Sequence, residues 1–347
     1  MPTALRSRQR LVSEHRAPIQ VPQFKESDDE ALIGNVFDAI FCRIGERAAL
    51  PERSVKLLVG FPAGGGLDVL ARIVGQRVSE QWGQPIIVDN RPGAGSNIAG
   101  DLAAKSAPDG YTLLHTNIAL MSINPALYGK MSFAPMKDLT PVIQLVNLPL
   151  AVMVRADSPF NTFKDLVDFA RTNPGKLNFG SGGNGGVPHL ALELLNSSYD
   201  FKIVHVPYKG SADAVKDLLG GPIDVMCDAI SVGLSQIKAG KLKALAVTTE
   251  ARHPALPDTP TTTEAGFAKF QVTGWQGWVA PASTPRAVLD RVNAEANKAM
   301  NDPATRARLF EQGYLPAGGS VDAFAKQLAA DQIKWAELVK LSGAKLD

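Results

Sequence analysis

From Val55 onward the chain alternates between two hydrophobic periods. Val55–Phe61 is a near-continuous apolar run, the pattern of a strand buried on both faces. Pro62-Ala-Gly-Gly-Gly66 follows. Apolar residues then recur at 70, 73, 74, 78 and 82, which predicts a helix over Leu67–Trp82. Ile86–Val88 is a second short strand, followed by Arg91-Pro-Gly-Ala-Gly-Ser-Asn97 and a helix over Ile98–Ala107. Tyr111–Thr116 is a third strand, leading into Asn117–Tyr128. Strand, Gly-rich turn and helix in repeated order predict a parallel sheet covered by helices.

A second set begins at Val152–Arg155. Thr162 and Asp165 frame the helix Phe163–Thr172 as a capping box, with Asp in place of the longer Glu. Leu177–Gly180 leads into Ser181-Gly-Gly-Asn-Gly-Gly186 and a helix over Val187–Asn196. Ile203–Val206 leads into Pro207-Tyr-Lys-Gly-Ser211 and a helix over Ala212–Leu219. Strands Ile223–Cys227 and Leu242–Thr248 flank a helix near Val232–Ala239. Three helices near 285–300, 303–312 and 321–341 close the chain, with Pro285 suited to the first helical position. The pattern predicts two α/β sheets joined by crossing strands, with a cleft between lobes. In open α/β sheets ligands sit beyond the carboxyl ends of the strands, where these glycine loops lie.

Composition narrows the function classes. The 347 residues carry a net charge of +2, too little for the basic field of a nucleic-acid binder. Cys42 and Cys227 make no metal quartet and at most one bridge. The charge-free stretch Leu139–Val154 holds Pro141, Pro149, Gln144 and Asn147 and is shorter than a membrane span; buried strands are the expectation. Residues 1–53 combine Arg6, Arg8, Arg10 and Arg16 with an acidic run at 26–30 and read as a poorly ordered extension. Asp38 interrupts the apolar segment 31–42, so no convincing secretion signal is legible.

Four loops open helices with little or no side chain: Gly64–Gly66, Gly93–Gly95, Gly180–Gly186 and Lys209–Ser211. Helix N-termini present unsatisfied N–H groups that bind anions, so four converging ends would hold a carboxylate or phosphate. The bland reading is four tight turns needing positive φ. Gly180, Gly182 and Gly185 match the dinucleotide fingerprint in spacing, but the next strand ends in Pro207-Tyr208 rather than an acid. Ser181 and His189 are candidates for a nucleophile and base, with no acid placed to orient the ring. His115 and His205 sit within strand patterns and read as packed, while His189 opens a helix beside the cleft loop. Asp68 either bonds the first-turn N–H groups of its helix or faces a ligand; Asp228 either caps the helix near Val232 or faces a ligand.

Ordered motifs then carry a resemblance. Val55–Arg72, Val88–Gly95, Ala107–Thr112, Ile123–Tyr128, Phe179–Gly185, Val206–Gly210, Gly240–Val247 and Trp275–Pro281 resemble the Bug-type solute-binding proteins of tripartite tricarboxylate transporters. The resemblance spans 54–347. It implies a type II periplasmic-binding-protein fold, with lobe 1 from 54–153 plus 274–347 and lobe 2 from 154–273. It also implies a non-catalytic, monomeric periplasmic receptor for a small carboxylate, without cofactor, docking on transporter subunits or a sensor. By motif position, the implied contacts are Phe61, Ala63, Gly64, Gly65 and Asp68 in the first loop and Thr116 at a strand end. Ser181, Gly182 and Asn184, then Tyr208, Lys209 and Gly210, and finally Asp228 complete the set. Two local departures are Cys227, where the family commonly has Phe, and His115-Thr-Asn-Ile118 in place of smaller residues. The alternative is a hydrolase or dinucleotide-dependent enzyme built on Gly180–Gly185.

Overall fold

A single ten-stranded sheet runs through the computed structural model, which describes residues 51–345. Residues 1–50, most of the expected N-terminal extension and including Cys42, lie outside the described residues. The first half of the sheet is built from β1 (Val55–Val59), β2 (Ile86–Asn90) and β3 (Thr112–Asn117), which pair in parallel in the order β2-β1-β3. The second half holds β5 (Asn178–Ser181), β6 (Val204–Pro207) and β7 (Val225–Ala229), also parallel, in the order β7-β5-β6.

One strand joins the halves. β4 (Leu139–Arg155) is 17 residues long and consists of the charge-free stretch Leu139–Val154, too short and too Pro-broken to span a membrane, followed by Arg155. Its first part pairs antiparallel with β9 (Thr273–Pro281) and β10 (Leu315–Pro316). Its last part pairs antiparallel with β7 and β8 (Leu242–Val247). The two sheets expected from the spacing are therefore halves of one. Periodicity within a segment shows a strand, but partners are chosen by tertiary contact, so sharing of β4 is not visible in the pattern.

Helices cover both faces: α1 (Gly66–Trp82), α2 (Asn97–Ala104), α3 (Asn124–Leu127), α4 (Pro135–Asp138), α5 (Phe163–Thr172) and α6 (Val187–Tyr199) come first. α7 (Ser211–Gly220), α8 (Ile230–Lys238), α9 (Arg286–Asn301), α10 (Pro303–Glu311) and α11 (Val321–Ser342) follow. The expected capping box forms, with Thr162 accepting from the Asp165 N–H and Asp165 accepting from the Thr162 N–H. Pro285 is the N-cap of α9 rather than its first residue. The 22-residue α11 packs on β4 and α6, so its buried Phe324, Leu328 and Trp335 join one apolar core with Leu58 and Leu114 of the first half and Phe179 of the second. Among the described residues, no helix is long and apolar enough to cross a membrane.

Candidate functional site

The register along β4 sets the two groups of strand ends against each other. Asn117, the last residue of β3, stands opposite Gln276 of β9, which pairs with Val146 of β4. Ala229, the last residue of β7, pairs with Leu150 of β4. β3 runs in the same direction as β4 and β7 runs against it. The carboxyl ends of both parallel sets therefore point at one another, separated along β4 by four residues, roughly 13 Å. The loops that follow these strands lie over that gap. Two of them share a neighbour: Asn124 of α3 donates to the Gly95 carbonyl at 3.0 Å, and a Cβ on Gly185 would meet Leu127 Cδ2 of α3 at 2.4 Å.

The helices that open here lack side-chain caps. The N-caps of α1, α6 and α7 are Gly65, Gly186 and Gly210, and no side chain bonds their first-turn N–H groups. By contrast α5, α10 and α11, which do not follow the glycine loops, are capped by Thr162, Asp302 and Ser320. Open first turns leave partial positive charge at the gap.

In the first loop, Asp68 does not cap its own helix. Its carboxylate accepts from the Gly64 N–H at 2.9 Å, from Arg72 Nε at 2.9 Å and from Asn90 Nδ2 at 3.0 Å. Burial pushes its pKa upward, but these hydrogen bonds and the Arg72 charge outweigh burial and hold it down to about 2. Asp68 is thus an ionised clamp that ties the loop to α1 and β2, and the Gly64 amide is committed to it. Asn90 also donates to the Phe61 carbonyl. Ala63 and Gly64 are exposed, and a Cβ on Gly64 would meet nothing within 4 Å.

Thr116 is fully buried and its hydroxyl has no hydrogen-bond partner. His115 beside it points to the opposite face, where Nδ1 accepts from Trp278 Nε1 at 3.1 Å and Nε2 lies 2.9 Å from Gln276 Oε1. Burial pushes this ring down to about 4.

In the second half, Ser181 lies under its own loop. Its Oγ accepts from the Gly183 N–H and sits 2.6 Å from His205 Nε2. The expected Ser181–His189 pair is not made. His189 is buried, accepts from the Gly185 N–H at 3.0 Å, stacks on His205 at 3.9 Å and faces Glu193. Strand register decides this: Ser181 pairs with Pro207, which brings β6 and His205 beneath the serine. His115 is packed as expected, His205 is half-buried, and His189 supports the loop from below. Burial pushes His205 down to about 4, reinforced by His189 beside it.

Asn184 and Lys209 are exposed at the loop tips, and a Cβ on Gly210 would meet open space. Gly182 lies against the start of α7, where a Cβ would be 2.8 Å from Ser211 Oγ. The Tyr208 hydroxyl turns into its own half and donates to Asp217 at 2.7 Å; burial first, then Asp217, pushes it up to about 12. Asp228 does not cap α8. It accepts from Ser211 Oγ at 2.6 Å and from the Ala229 N–H at 2.7 Å, and burial pushes its carboxyl upward against both bonds.

The sequence reading misses Arg72, Asn90 and Ser211, which hold Asp68 and Asp228. Arg72 carries a legible signal, four residues after Asp68 on one helix; Asn90 and Ser211 become neighbours only through the fold. Two surface hollows of about 780 and 770 Å³ lie away from the glycine loops. One opens beside β8 and the start of α5, the other behind the β4–β9 crossing against α11. Among the described residues, no group of three or more His, Cys, Asp or Glu is placed to hold a metal ion.

Comparison with known proteins agrees with this architecture. The sequence pattern of the tripartite tricarboxylate transporter family receptor, TctC, matches residues 70–343. A UPF0065 protein from the tcbD-tcbE intergenic region of Pseudomonas sp. strain P51 is 40% identical over 292 residues, covering 84% of this chain and 87% of the relative. A solved R. palustris structure with adipate is 34% identical with a TM-score of 0.75, covering 86% of this chain and all of the other. MatC from Rhodopseudomonas palustris with bound malate is 31% identical with a TM-score of 0.71, covering 84% and 100%. Two further similar structures are a periplasmic transporter, 37% identical with a TM-score of 0.74 and covering 86% of this chain and all of the other, and the periplasmic binding protein BugD, 33% identical with a TM-score of 0.70 and covering 85% and 99%; the fold they share with this chain is the two-domain type II periplasmic-binding-protein fold. Two facing sets of strand ends joined by one long strand, with the matching sequence pattern, place this chain in the Bug-type receptor family of the tripartite tricarboxylate transporters.

Proposed function

We propose that the chain is a periplasmic receptor that captures a small dicarboxylate between its two halves and presents it to membrane transporter subunits or a sensor. The observation that carries this is the meeting of uncapped helix starts at one gap. Open N–H groups bind a carboxylate without a fixed cation. The relatives with adipate and malate point to a diacid of four to six carbons. Residues 54–153 with 274–347 form one lobe and 154–273 the other, and β4 with β9 acts as the hinge. Gly182, Asn184, Lys209 and Gly210 offer donors, while Phe61, Ala63 and Gly65, whose N–H turns back to the Pro62 carbonyl, border the gap. Asp68, Ser181, Tyr208 and Asp228 act from behind, by holding the loops in place.

The test is a thermal-shift and calorimetric screen of C4–C6 dicarboxylates. A ligand at one hundred times its dissociation constant adds about 2.7 kcal/mol of stability and raises the melting temperature visibly. No response from any dicarboxylate would refute the reading. Cell fractionation, with mass spectrometry of the mature N-terminus, tests the compartment.

A further inference from the structure

Three consecutive residues on the first-half side of the gap, Ala94, Gly95 and Ser96, have φ of 46°, 60° and 79°. Two of the three carry side chains in a region that favours glycine. This turn places Ser96 over the end of β1, so closely that a Cβ on Gly60 would fall 1.7 Å from Ser96 Oγ. Val59 stands beside His115 in the parallel pairing of β1 and β3, which puts Gly60 beside Thr116. Residues in register on adjacent strands face the same side, with strands about 4.8 Å apart. Ser96 Oγ and Thr116 Oγ1 therefore share one layer above the strand ends.

Both hydroxyls are buried, with Ser96 1% and Thr116 0% exposed. Neither has a hydrogen-bond partner, and neither bonds the other. The Ala94–Ser96 turn packs against Ala119–Ile123, which adds a third buried hydroxyl without a partner, that of Ser122. Buried hydroxyls are ordinarily satisfied, and exceptions call for a function. Here a strained turn holds one of them in place, so the unbound protein carries two unfavourable features at one spot.

We propose that Ser96 is a specificity-determining residue, whose hydroxyl pairs with that of Thr116 to receive one carboxylate oxygen of the bound diacid. The proposal rests on the receptor reading above. Two donors held over adjacent strands, which lie about 4.8 Å apart, can flank one acceptor, and a carboxylate oxygen accepts from both. The opposite carboxylate is then left to the glycine loops of the second half.

The test compares wild type, Ser96→Gly and Thr116→Val in dicarboxylate calorimetry and in ligand-free thermal melts. Glycine suits the φ of 79° and removes the orphaned hydroxyl, so the ligand-free melting temperature of Ser96→Gly should equal or exceed that of wild type. Its affinity for the best C4–C6 dicarboxylate should fall at least tenfold, about 1.4 kcal/mol. Thr116→Val keeps the shape and should lose a similar factor. A lower ligand-free melting temperature for Ser96→Gly would mean the hydroxyl serves the fold, and overturns the assignment. Unchanged affinity in both variants overturns the subsite and leaves the receptor reading intact. A wild type that answers no dicarboxylate overturns both. A liganded crystal structure with only a water between the two hydroxyls also refutes it.

Discussion

Acid should loosen the floor of the cleft through His115. This ring is fully buried at the carboxyl end of β3. Its Nδ1 accepts from the Trp278 indole, so the ring proton sits on Nε2 and donates to Gln276. A second proton would have to enter on Nδ1, against an N–H that already points there. Burial therefore pushes the pKa from 6.5 down to about 4, against the upward pull of the Gln276 bond and the Asp68 charge. The unfolded chain takes up a proton near pH 6.5 and the folded ring only near pH 4, so stability falls as pH falls through that window. At about 1.36 kcal/mol per pH unit, the full loss is about 3 kcal/mol. Urea unfolding of wild type and His115→Gln between pH 7 and pH 4 measures it. Gln removes the titration while leaving other acid-sensitive groups, His205 included, common to both proteins. Wild type should lose about 3 kcal/mol more than the variant over that range. Parallel pH profiles would show that the ring does not titrate where its surroundings place it.

Two further outcomes follow from named contacts. Gly277 of β9 lies where a Cβ would come 2.5 Å from the Ile143 carbonyl oxygen and 2.9 Å from Phe324. Since the backbone of β4 cannot easily move aside, Gly277→Ala should cost at least about 1–3 kcal/mol in urea unfolding; a neutral result would mean that the β4–β9 crossing yields. Asp228, pushed upward from 3.8 by burial, favours the folded state below pH 3.8 and loses that contribution as pH rises through its raised value. Asp228→Asn should flatten this part of the pH–stability curve, and an unchanged slope would assign it to another group.

The local elements were legible because their causes are local. Helical spacing places α1 within one residue of its observed start, and Thr162 with Asp165 marks the start of α5, because both signals lie within a few residues of one another. The glycine loops were legible for the same reason, since the absence of side chains after a strand is itself the signal. The motifs between Val55 and Pro281, in order, also carry the family. Tertiary structure decided what those loops and side chains meet. That β4 serves both halves, and so turns the two sets of strand ends toward each other, depends on pairings between residues more than 70 positions apart. Strand pairing over shorter separations likewise decides that Ser181 finds His205, 24 positions away, instead of His189, and that Asp68 holds Asn90, 22 positions away. Spacing along the chain limits what a backbone segment can become, whereas a buried polar group takes whichever partner the packed strands bring within about 3 Å.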